Sequence, residues 1–221
     1  MIEKDRDRIL NFLLGNEKAP NFEAWIYHDK SLESRLDNDL YFELIYADYQ
    51  DNSVKESLSK LIIGDYITEA EFEHFKLIDQ LKKSGWYENR KVEIALPEVS
   101  VTNEIKNAQN ILSEFGGLKL ISSENWTDNW TLTLLEFVES ISVIESMEMY
   151  GVNKKMVLFA CAHNRHINLY VDNENKFFYL DNVVSENLYV HKGQNIHDLI
   201  RDLLQQEYEE PNFIKIRKSN E

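Results

Sequence analysis

The sequence predicts an α+β fold: a mostly antiparallel sheet flanked by helices, preceded by a helical N-terminal segment. Three observations carry this. Apolar residues recur at three- and four-residue spacing through the first third of the chain. Beyond residue 90 that period gives way to short apolar runs separated by polar turns. A strongly amphipathic stretch then closes the domain near residue 204.

The N-terminal elements come first. Pro20 precedes a helical segment over 21–28, in which Phe22, Trp25 and Ile26 share one face. A second helix is predicted over 39–49, with Leu40, Leu44 and Ala47 aligned and Tyr41 and Ile45 beside them. Ser53 and Glu56 have the spacing of a capping box ahead of the stripe Val54, Leu58, Leu61 and Ile62, and Gly64 is placed to stop it. Thr68 and Glu71 form a second box. Ile67 and Phe72 flank it as a hydrophobic staple, and Phe75, Ile78 and Leu81 lead on to Gly85.

The pattern then changes. Residues 91–96 alternate as a short strand ending at Pro97. Thr102 is the expected N-cap of a helix whose stripe is Ile105, Ala108, Ile111, Leu112 and Phe115, closed by Gly116-Gly117. Strand-like runs follow at 118–122, 131–135, 156–162, 167–171, 177–180 and 187–190. Residues 163–166 and 172–175 carry hairpin chemistry, and Lys192-Gly193 marks a further turn. The last helix is expected from Asn195, with Asp198 in its first turn and Ile196, Leu199, Ile200, Leu203 and Leu204 on its apolar face. The expected division is a helical extension over 1–66 and an α+β domain over 67–221.

Composition bounds the function. A chain of 221 residues that is 43% hydrophobic can bury a substantial core, and 7 Gly and 3 Pro give no low-complexity stretch. The single cysteine, Cys161, excludes an internal disulfide framework. The first eight residues are mostly charged, unlike a signal peptide, and no apolar run is long enough to span a bilayer. These features predict a cytoplasmic protein. The net charge of −15 repels nucleic acid and anionic membranes and suits a basic partner, although acidity also serves solubility alone.

Chemistry is hard to assemble from these residues. Cys161, His163 and His166 have metal-ligand types, but no fourth ligand stands at a recognisable spacing, so no metal is expected. The same cysteine lies in an apolar run, without an oxyanion-hole motif beside it. Glu136 with Glu139, and Glu145 with Glu148, share helical spacing and read as a solvated acidic face. Asn125-Trp126-Thr127 and Asn129-Trp130-Thr131 match the glycosylation triplet, a coincidence in a chain without a secretion signal. No catalytic residue and no cofactor is expected.

Two glycine motifs add a resemblance. Residues 84–90 read Ser-Gly-Trp-Tyr-Glu-Asn-Arg, placing Gly85 and Trp86 after a helix and Arg90 shortly before the extended run. Residues 115–118 read Phe-Gly-Gly-Leu, with Phe115, Gly116 and Gly117 ending the next helix. Together, over about residues 68–206, they resemble the SUKH-3 branch of the SMI1/KNR4-like superfamily. The order of strand, polar hairpin, aromatic strand and final helix over 156–204 is similar too. The chain departs from the family in having Leu158-Phe159-Ala160-Cys161 where Pro-Leu-Gly or Pro-Val-Gly is common, and Asn175 where a hairpin glycine is usual.

The resemblance implies an immunity protein that binds and neutralises a cognate polymorphic toxin, often a nuclease or deaminase, with no chemistry of its own. A non-catalytic regulatory or scaffold module is the alternative within the superfamily. The partner is expected to be a basic toxin protein, not nucleic acid or membrane; oligomeric state is not legible. Acidity, aromatic content and loop position nominate Glu124, Trp126, Asp128, Trp130, Glu136 and Glu139 as partner-binding residues.

Overall fold

In a computed structural model of the chain, the described residues are 1–95, 101–121, 131–135, 150–162, 165–182, 187–193, 195–205 and 212–217. They form two compact units, Met1–Ile78 and Asp79–Glu221. Among them no helix is long and apolar enough to cross a membrane.

The first unit is helical: α1 (Glu3–Leu13), α2 (Ala19–His28), α3 (Leu32–Arg35), α4 (Asn38–Tyr46), α5 (Val54–Ile62) and the start of α6 (Glu69–Lys83). Its core is built on Phe12 and Phe22, which stack with ring centroids 4.1 Å apart, while Tyr49 packs at 5.9 Å from each. Leu40, Leu44, Leu58 and Ile62 complete it. Each such buried side chain contributes about 1.5–3 kcal/mol of transfer free energy. The sequence reading did not include α1, because its inward stripe opens on a charge: Asp5 is buried with Ile9, Phe12 and Leu13. Arg35 makes that burial tolerable. Its Nε donates to Asp5 Oδ2 at 2.8 Å and its Nη2 to Asp5 Oδ1 at 3.1 Å, and the same guanidinium holds Asp29.

The two expected capping boxes end differently. At α6 the Thr68 N–H donates to Glu71 Oε2 at 2.9 Å and the Glu71 N–H donates to Thr68 Oγ1 at 3.2 Å, so the reciprocal box forms. At α5 it does not. The Ser53 hydroxyl and N–H both donate to the Asp51 carboxylate, and Glu56 turns to Lys60 one helical turn on, at 2.6 Å. Likewise α4 ends at Tyr46, short of residue 49. Asp48 caps the Gln50 N–H in a local turn, and Tyr49 turns inward to donate its hydroxyl to the Leu44 carbonyl at 2.7 Å.

Among its described residues the second unit holds a seven-stranded antiparallel sheet in simple sequential order: β1 (Lys119–Ile121), β2 (Thr131–Leu134), β3 (Met156–Ala162), β4 (Ile167–Asp172), β5 (Phe177–Asp181), β6 (Leu188–His191) and β7 (Phe213–Ile216). This is the α+β arrangement expected. The interior strand β3 is buried along its whole length, as its unbroken apolar run requires, and shifts register between Leu158 and Ala160. Helix α7 (Asn103–Phe115) packs on β3 and β4 through Ile105, Ala108, Ile111, Leu112 and Phe115. Helix α8 (Ile196–Leu204) buries Leu199, Ile200, Leu203 and Leu204, with the Asn195 side chain capping the His197 N–H at 2.9 Å.

One strand expectation changes and one strand was not expected; of the run expected over 91–96, Leu96 lies outside the described residues and Ala95 makes a single bridge. Residues 91–94 join no strand of the sheet; the Val92 N–H donates to the Ser113 carbonyl of α7 at 2.8 Å. The alternation there is real, since Ile94 is buried between exposed Glu93 and Ala95, and Ile94 packs against the end of α7 at Gly116. Conversely, β7 follows α8 and pairs with β6 from Leu188↔Ile216 to His191↔Phe213. Only Phe213 of its four residues is buried, so the run carries little periodic signal. Thr102 occupies the N-cap position of α7, yet its side chain makes no cap bond and Oγ1 is buried without a partner.

Candidate functional site

The residues of the two glycine motifs meet in the second unit. Gly85 ends α6 at φ +95°. There the Gly85 N–H donates to the Lys82 carbonyl and the Trp86 N–H to the Leu81 carbonyl, the double closure that favours glycine at this position. Trp86 then donates its indole N–H to Glu114 Oε1 at 3.1 Å. Arg90 reaches the C-terminus of α7, where Nη1 donates to the Glu114 carbonyl at 2.6 Å and Nη2 to the Gly116 carbonyl at 2.8 Å. Carbonyls at a helix end lack intrahelical partners and carry partial negative charge, so a guanidinium fits them in both respects. The His197 ring lies edge-on to both Phe115 (5.3 Å) and Trp86 (6.5 Å). Gly116 itself is pinned between backbones, and Gly117 follows at φ +77° with its N–H donating to the Leu134 carbonyl. The motif thus locks the segment that follows α6 onto the C-terminal end of α7, beside the start of α8 and the sheet.

A protein-family model described as SUKH-3 immunity protein matches residues 76–206, more than half of the chain. The chain belongs to the SUKH-3 family. No curated protein and no solved structure matches it. Within the SUKH-3 region the motif residues are joined by contacts that no spacing rule announces, since Glu114 and His197, their partners, carried no signal in the sequence reading.

The hairpin expected at 172–175 forms between β4 and β5, and its polar node reaches Lys154 and Lys176, which were not expected to take part. Asp172, fully buried at the end of β4, accepts the Glu174 and Lys176 N–H groups on Oδ1 at 2.8 and 2.9 Å and Lys154 Nζ on Oδ2 at 3.2 Å. This clamps the β4–β5 hairpin, where Asn175 takes φ +65°. Lys154 and Lys176 also flank Glu174, at 2.7 and 3.0 Å, and their hydrogen bonds pull its carboxyl down to about 2. A depressed folded pKa gives stability that is fully present above the ordinary value of 4.5 and lost as pH falls through about 2. Thermal melts between pH 2 and 7 should therefore show a shallower acid loss in Glu174→Gln than in the native chain; equal slopes would remove Glu174 from the account. A second pair, His191 Nε2 with Asp202 Oδ2 at 2.9 Å, ties β6 to α8 out of solvent.

The six nominated partner-binding residues, Glu124, Trp126, Asp128, Trp130, Glu136 and Glu139, lie outside the described residues, as do His163 and the Glu145–Glu148 pair. Cys161 is buried in β3, opposite Thr133 and Asn168. Among the described residues no group of three or more His, Cys, Asp or Glu is placed to hold a metal. A groove of about 620 Å³ opens over one cross-strand rung, Phe178, Val190 and Ile214, with Lys154, Lys176 and Lys192 at its margin. Two of these three ammonium groups are already neutralised by Asp172 and Glu174.

The helical unit adds a surface that sequence reasoning missed. Phe42 and Tyr46 on α4 point outward, 48% and 79% exposed, and stack with centroids 6.2 Å apart. Tyr41 leans on Phe42 at 6.0 Å. Tyr27 of α2, also exposed, donates its hydroxyl to the Ile45 carbonyl at 2.9 Å. The available signal was two aromatics four residues apart, off the Leu40–Leu44 stripe.

Proposed function

We propose that this chain is a bacterial immunity protein that binds and neutralises a cognate polymorphic toxin domain, one with a basic, nuclease-type surface, without a reaction of its own. The observation that carries this is membership of the SUKH-3 family over residues 76–206. The charge of −15 supports a basic partner, because complementary fields accelerate encounter and penalise wrong partners. The work would be done in the cytoplasm, where such a toxin threatens its producer. The α+β domain over 67–221 is the toxin-binding part, with Glu124, Trp126, Asp128, Trp130, Glu136 and Glu139 among its contacts and residues 1–66 as a helical extension.

Co-expression with the toxin domain encoded in the adjoining reading frame tests this. Growth should be restored to the level of cells without toxin. Continued killing by every adjoining toxin domain would end the proposal.

A further inference from the structure

The outer face of α4 carries two adjoining rows. One is the stacked pair Phe42 and Tyr46; the other is Asp39 and Glu43, both exposed. Within each row the residues are four apart, and each acid stands three residues before an aromatic, so the rows lie side by side on the helix surface. Along the chain the flanks have one sign as far as Lys55. Residues 36–54 contain Asp37, Asp39, Glu43, Asp48 and Asp51, all exposed, and no Lys or Arg. The nearest preceding cation in sequence, Arg35, is held by Asp5 and Asp29. Burial first, and then the carboxylates of Asp37, Asp39 and Asp65, push the Tyr66 hydroxyl up.

We propose that this face is a docking surface for a basic polypeptide, an arginine- and lysine-bearing surface of the toxin. The inference rests on the toxin-binding reading above and adds a contact region outside the family-matched residues. The chemistry is specific. A guanidinium can stack on the ring of Phe42 or Tyr46 while donating to Asp39 or Glu43 beside it, which satisfies its planar face and its donors together. Aromatic side chains supply large contact area with few rotors, and the carboxylates steer the approach. The same field repels nucleic acid and anionic lipid, so an exposed aromatic pair here suits neither.

The test uses the full chain and the purified toxin domain of the adjoining reading frame, with binding kinetics at two salt concentrations. Phe42→Ala/Tyr46→Ala should raise Kd about tenfold or more, mostly through faster dissociation. Asp39→Lys/Glu43→Lys should slow association by about tenfold and flatten its salt dependence. The exchanged pair Phe42→Tyr/Tyr46→Phe should bind as the native chain does. All four positions are exposed, so each variant should fold, with a modest drop in melting midpoint where Asp39 leaves the first turn of α4. Both the alanine and the lysine variants binding within twofold of the native chain would overturn the docking surface while leaving toxin binding intact. A native chain that binds no toxin would remove the underlying reading as well.

Discussion

Gly116→Ala should cost about 3 kcal/mol or more of stability. An added Cβ would stand 2.5 Å from the Leu112 carbonyl oxygen and 3.0 Å from the Leu135 carbonyl oxygen, with Ile94 Cδ1 at 2.9 Å. The side-chain contact can relax; the two backbone contacts cannot do so without moving the end of α7 or the residue that follows β2. Arg90 would lose its fit as well, because its Nη2 donates to the Gly116 carbonyl itself. Gly85→Ala is the informative control. It meets only Leu118 Cδ2 at 4.0 Å, so its cost is the left-handed backbone alone, about 1–2 kcal/mol. Urea unfolding of both variants measures the difference, and equal losses would mean that steric closure at Gly116 is not what the motif provides.

Asp172→Ala should cost about 3 kcal/mol, for a different reason. The side chain is fully buried and takes three donors, so its removal strands the Glu174 and Lys176 N–H groups at the hairpin and takes one carboxylate from Lys154. Asp172→Asn keeps an acceptor for both N–H groups, and Lys154 retains Glu174, so about 1 kcal/mol is expected from the lost charge. The ratio between the two variants is what urea unfolding should read. An Asn variant as unstable as Ala would show that the charge, not the hairpin clamp, dominates.

Much of the SUKH-3 region was legible because its signals are local. The α7 stripe, the glycines at 85 and 116–117, and the runs that become β3 to β6 all declare themselves within a dozen residues. What was missed depends on partners far along the chain. The stripe of α1 opens on Asp5, and only Arg35, thirty residues on, makes that an inward position. Asp172 needs Lys154, eighteen residues back. Residues 91–94 alternate like a strand because α7 gives Val92 and Ile94 a face to cover. At Ser53, spacing alone could not show that Asp51 offers a nearer acceptor than the helix terminus. For the candidate surfaces the limit was exposure. Acidity and tryptophans drew attention to residues 124–139, whereas Phe42 and Tyr46 read like ordinary helix aromatics until their burial is known.

The central claim is inhibition by occupancy. Titrating a fixed amount of the active toxin domain with the purified chain, and assaying the remaining toxin activity, tests it most directly. Activity should fall linearly to zero at about one equivalent, stay there without time dependence, and return when the complex is dissociated. Complete inactivation by a small fraction of an equivalent, growing with time, would show that the chain acts catalytically; undiminished activity at a large excess would show that it does not bind the toxin at all.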